Sequence, residues 1–141
     1  MEISEVRRRL LGSIEGAKRG AAQRRARVDE ASRDYAVFLE QIAVPLFRQV
    51  ANVLKAERYP FSAFTPSGSV RLTSERNAEN YIELSLDTTG SEPLVIGHTS
   101  RGRGRRVIES ERPVGEGRIR DLTEEHVLGF LLAELGPLVE K

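Results

Sequence analysis

The chain has 141 residues, of which 39% are hydrophobic and 30% charged, with a formal net charge of +1 and no cysteine. That length suits one domain whose core needs no metal or disulfide staple. The missing cysteines remove thiolate nucleophiles, Cys-ligated zinc and iron–sulfur centres. The near-neutral total hides an asymmetry: residues 1–58 carry 12 basic and 8 acidic side chains, residues 59–141 carry 10 and 13. Such a split suits self-complementary packing, or an acidic partner at the basic end.

From residue 1 to 20, Ile3, Val6, Leu10, Ile14 and Ala17 recur by threes and fours, and Glu5 with Arg9 and Glu15 with Arg19 form acid-before-base pairs one helical turn apart. The segment therefore reads as helix. Gly12, Gly16 and Gly20 weaken it by about 1 kcal/mol each relative to alanine. Residues 1–27 hold eight bases and three acids and read as a basic helical extension, with 28–141 as a single α+β domain.

The same stepping runs on through Ala21, Val28, Ala31, Tyr35, Phe38 and Ile42, with Arg24 in the one missing place. This is the seam of a long helix reaching Lys55. Pro45 lacks an N–H and crowds the preceding turn, which predicts a kink or break at Val44 to Leu46. Beyond it Leu46, Phe47, Val50, Ala51, Val53 and Leu54 make a wider apolar stripe, expected to be the most buried part of the helix.

After Pro60 the period changes to two. Phe61–Thr65, Ser69–Ser74, Tyr81–Asp87, Pro93–Thr99 and Arg105–Ser110 read as short strands, with turns at 66–68 and 89–91, a loop at 75–79 and a further turn at 100–104. Short connections favour antiparallel neighbours, hence a meander of four or five strands. Thr123 is a fitting N-cap for a closing helix, Glu124 and Glu125 suit its first turn, Leu122 and Val127 form a hydrophobic staple, and Gly136-Pro137 is the expected stop. The helix is apolar on more than one side, so it should touch both the sheet and the long helix. The expected fold is α+β: a long kinked N-terminal helix, an antiparallel meander and a C-terminal helix packed on the sheet.

The sharpest local feature is the arginine-rich hairpin tip, with Arg101, Arg103, Arg105 and Arg106 interleaved by Gly102 and Gly104. Guanidinium donors on a pliable backbone suit a phosphate chain. Equally, the arginines could pair with Glu109, Glu111 or Glu116 as a solvated turn. No aromatic residues interleave them, and the basic helix lacks the Asn-type side chains that read base edges. His98 has Thr99 and Ser100 beside it but no aspartate placed to orient its ring, and His126 reads as a surface or capping residue. Phosphate-loop and dinucleotide signatures are absent. The residues thus lead away from catalysis and from any cofactor or metal.

No run approaches the eighteen apolar residues of a membrane span, and the early arginines break any signal-peptide core. The expectation is a cytoplasmic, non-catalytic interaction protein without membrane contact. It would associate as a dimer through Ala21, Val28, Ala31, Tyr35, Phe38 and Ile42. The alternative is a nucleic-acid-binding accessory protein using the four loop arginines and the basic helix.

Overall fold

The structure, a computed structural model, describes residues 1–140. One 54-residue helical rod runs from Ile3 to Ala56: α1 (Ile3–Phe38), a π-helical turn (Leu39–Ala43) and α2 (Val44–Ala56). It is followed by β1 (Phe61–Phe64), β2 (Ser69–Ser74), β3 (Tyr81–Asp87), β4 (Leu94–Arg103) and β5 (Arg106–Pro113), then a 3-10 turn at Ile119–Asp121 and α3 (Glu124–Val139). The five strands form an antiparallel sheet in the order β1-β2-β3-β4-β5, so the α+β architecture and the meander are as the sequence pattern indicates.

Pro45 does not break the rod at Val44 to Leu46; the irregularity lies one turn earlier. The N–H of Val44 reaches back five residues to the Leu39 carbonyl. Proline has no N–H for the usual bond, and a wider π turn before it accommodates its ring without ending the helix. The extra residue also keeps the apolar stripe aimed at the sheet. The buried positions run Ala31, Tyr35 and Phe38, jump five to Ala43, and resume at Phe47 and Ala51.

One face of the sheet is the core. Val70, Leu72, Ile82, Leu84 and Val95 are fully or almost fully buried there with Phe47, Val127 and Leu131 from the helices. The alternate positions, among them Arg71, Tyr81, Glu83, His98, Glu109 and Glu111, lie on the opposite face.

The closing helix begins at Thr123, whose side chain accepts from the His126 N–H, while His126 Nδ1 accepts from the Thr123 N–H at 3.0 Å. Histidine thus takes the role that glutamate usually fills in a capping box. Leu122 and Val127 are both buried, and Phe130 packs its ring over Gly97 of β4. Gly136-Pro137 is not the stop: α3 continues to Val139. Proline deprives only the exposed Ala133 carbonyl of a partner, which water can supply, while Leu138 is drawn into the core.

Strand β4 is also longer than its sequence pattern suggests. Ser100 to Arg103 continue the strand, leaving Gly104 and Arg105 as a two-residue turn with Gly104 at φ +63°. Glycine at a positive φ in the first central position matches the twist of a hairpin.

Candidate functional site

The sheet and α3 cover only the later part of the rod. From Ile3 to Arg27, about 25 residues and ~37 Å of helix, the rod projects beyond the body. Ile3 is 85% exposed, Leu10 58%, Leu11 52% and Ile14 47%. Gly12 and Gly16 have nothing packed against them.

This divides the six seam residues. Ala31, Tyr35 and Phe38 are buried in the chain's own core, and Ile42 is partly buried against it. Those four are not available to a second copy, because the sheet already covers the stripe they belong to. Ala21 remains on the projecting part and Val28 lies at its root, both half-buried. The accessible apolar positions are instead Ile3, Val6, Leu10 and Ile14, whose stepping is visible in the sequence; where the cover ends is not. Tyr35 marks that point. Its hydroxyl donates to the Gly68 carbonyl at 2.7 Å, and burial away from water, with a smaller contribution from the Glu83 carboxylate, raises its pKa to about 12.

Register resolves the arginine tip. Arg103 pairs across from Arg106 and Arg101 from Ile108, so alternation puts Arg101, Arg103 and Arg106 on the helix-bearing side of the sheet, with Arg105 in the turn. None of the four forms an ion pair among the described residues. Glu109 and Glu111 are engaged elsewhere, and Glu116 does not reach them. The hairpin is braced at Gly102, whose N–H donates to Asn80 Oδ1 at 2.7 Å. A Cβ there would lie 2.5 Å from Glu79 Oε2.

The two basic regions lie at opposite poles. The rod enters the body beside Gly68, at the β1–β2 turn, and α2 ends at Ala56, shortly before Phe61, which pairs with Ser74. The arginine tip lies at this second end, beyond the Tyr81–Ser100 pair. One chain therefore does not present its basic helix and its hairpin as a single continuous surface.

On the sheet's outer face His98 is bracketed by two glutamates: Nδ1 lies 3.1 Å from Glu111 Oε1 and Nε2 3.5 Å from Glu109 Oε1. Its ring stacks on Tyr81 at 5.7 Å, and the Arg71 guanidinium sits 3.9 Å from the Tyr81 centroid while bonding Glu83 at 3.1 Å. This cross-strand cluster ties β2 through β5 together. It has the orienting carboxylate that the sequence did not reveal, since strand pairing and not proximity in sequence supplies it. Thr99 faces the core. Ser100 shares the outer face but is buried and makes no hydrogen bond to His98. Among the described residues no group of three or more acidic or histidine side chains could hold a metal ion.

At the root of the projecting helix lies a pocket of about 560 Å³ between α1, the β3–β4 turn and the 3-10 turn. Ala31, Pro93, Leu94 and Ile119 supply its apolar lining and Arg27, Glu92 and Arg118 its charged lining. Arg120 bonds Glu30 and lies 3.5 Å from Asp34, clamping the 3-10 turn to α1. Elsewhere, hydrogen bonds from Ser62 and Lys55 hold the Glu75 carboxyl below its usual range, and those from the Thr89 hydroxyl and N–H do so for Asp87. By length and composition the rod could cross a membrane, but within its apolar part Phe38, Ala43 and Phe47 are committed to the core.

The chain matches no protein-family model, no curated protein and no solved structure.

Proposed function

We propose that the protein is a small non-catalytic assembly protein of the cytoplasm that associates with itself through the projecting helix. One observation carries this reading: ~37 Å of continuous helix stands clear of the body with Ile3, Leu10, Leu11 and Ile14 about half or more exposed. Isolated helix gains little stability from propensity alone and gains it from packing an apolar face, which a second copy supplies. Sedimentation equilibrium tests it, with a dimer expected for the native chain and a monomer for Leu10→Glu/Ile14→Glu. A native chain that stays monomeric at high micromolar concentration refutes it.

The unpaired arginines favour a second reading, that the hairpin tip binds a nucleic-acid backbone. Anisotropy titrations with duplex DNA, single-stranded DNA and RNA separate the two. Binding that weakens as salt rises and disappears when all four arginines become glutamine supports the second, because each phosphate contact displaces a counterion. No binding to any of the three removes it.

A further inference from the structure

We infer that two copies pair their projecting helices antiparallel, and that the first turn of each α1 seats in the pocket at the root of the other. This rests on the self-association reading and gives it an orientation and a docking site.

Sterics supply the first argument. The exposed stripe through Leu10, Ile14, Ala17 and Ala21 runs into Ala31, Tyr35 and Phe38, which face the chain's own sheet. A straight helix drifts only about 20° per heptad, so over three heptads the two parts of the stripe stay on one side of the rod. In a parallel pair, stripe against stripe, both bodies would occupy the same space at the same end of the two helices. Antiparallel pairing puts the bodies at opposite ends.

Side-chain size gives the second. The large residues Ile3, Leu10 and Ile14 lie in the first half of the projection and the small ones, Ala17 and Ala21, in the second. In an antiparallel pair the longest register that stops short of the body sets Ile3 against Val28, Leu10 against Ala21 and Ile14 against Ala17. Large then meets small in two of the three apolar layers, as dense packing requires. A parallel pair stacks Leu10 on Leu10 and leaves Ala17 opposite Ala17.

Length gives the third. In that register the first turn of one helix arrives beside Val28 of the other, where the pocket begins. Ile3, the most exposed apolar residue of α1, meets Pro93 and Leu94, the partly exposed apolar residues of the pocket. Arg118 at the pocket has no ion pair among the described residues, and the incoming turn brings Glu2 to it, while Glu5 bonds Arg9 of its own helix at 3.0 Å. The register also sets Arg7 against Arg24, a like-charged layer that limits the strength of the pair.

Because the chain has no cysteine, introduced ones report orientation directly. Ile3→Cys and Val28→Cys chains are mixed, oxidised with diamide and read by mass spectrometry. A disulfide between the two different variants is expected, joining position 3 of one chain to position 28 of the other. A dimer in which each variant links only to its own kind overturns the orientation while leaving self-association intact. Arg7→Glu should tighten the antiparallel pair at least threefold by facing Arg24, whereas in a parallel pair it only exchanges an Arg–Arg layer for a Glu–Glu layer and gives no tightening, an outcome that overturns the orientation. For the seating, Ile3→Asp on the exposed first turn should weaken dimerisation tenfold or more; an unchanged dissociation constant overturns it. A monomer in every case overturns both this inference and the reading beneath it.

Discussion

A Cβ at Gly97 would lie 2.1 Å from the Cζ of Phe130, so the ring of α3 rests on the bare backbone of β4. Arg112 closes the other approach, its guanidinium 4.6 Å from the ring and its Nε 2.8 Å from Glu134. Any side chain at 97 must push α3 off the sheet. Gly97→Ala should lower stability by about 1–3 kcal/mol, the usual cost of overpacking, measured as a fall in the urea midpoint. Adding Phe130→Leu should recover part of that loss.

Phe38 and Leu10 belong to one stripe and should respond oppositely. Phe38 is 3% exposed within the core, and Phe38→Ala should cost about 3–5 kcal/mol of folding stability. Leu10→Ala should leave the body's unfolding transition nearly unchanged and act on dimerisation. Denaturant unfolding followed at two protein concentrations distinguishes them.

The Tyr35 hydroxyl has a folded-state pKa of about 12, above its unfolded value near 10. The folded chain therefore holds the proton more tightly. The resulting stabilisation is fully present below pH 10 and is lost as pH rises from 10 through 12; over that window it amounts to about 2 kcal/mol. Tyr35→Phe should flatten this part of the stability profile relative to the native chain, although it also removes the bond to Gly68. Urea unfolding at pH 9, 10 and 11 gives the difference directly.

The start of α3 depends on reciprocal bonds between Thr123 and His126. Thr123→Ala should cost about 1 kcal/mol, and Thr123→Asp should preserve most of the cap. Thermal unfolding of the two variants checks the order.

The hydrophobic periods determined most of the architecture. Alternation at Val70 and Leu72, and again at Ile82 and Leu84, marks strands in the sequence because each strand buries one face. The three-and-four stepping from Ile3 to Ile42 marks one helix for the corresponding reason. Periodicity does not say what covers a stripe. The same pattern continues through Leu10 and through Phe38, and only the folded body, under which the seam becomes buried from Ala31 onward, separates free seam from core. Local breakers were overridden for a related reason. Pro45 and Pro137 each remove one hydrogen bond, while Phe47 and Leu138, a residue or two onward, continue the helix into the core. Partners across strands were likewise a tertiary decision. Glu109 and Glu111 face His98 instead of the arginines because β5 pairs with β4 in that register, and a one-residue slip would have turned both to the opposite face of the sheet.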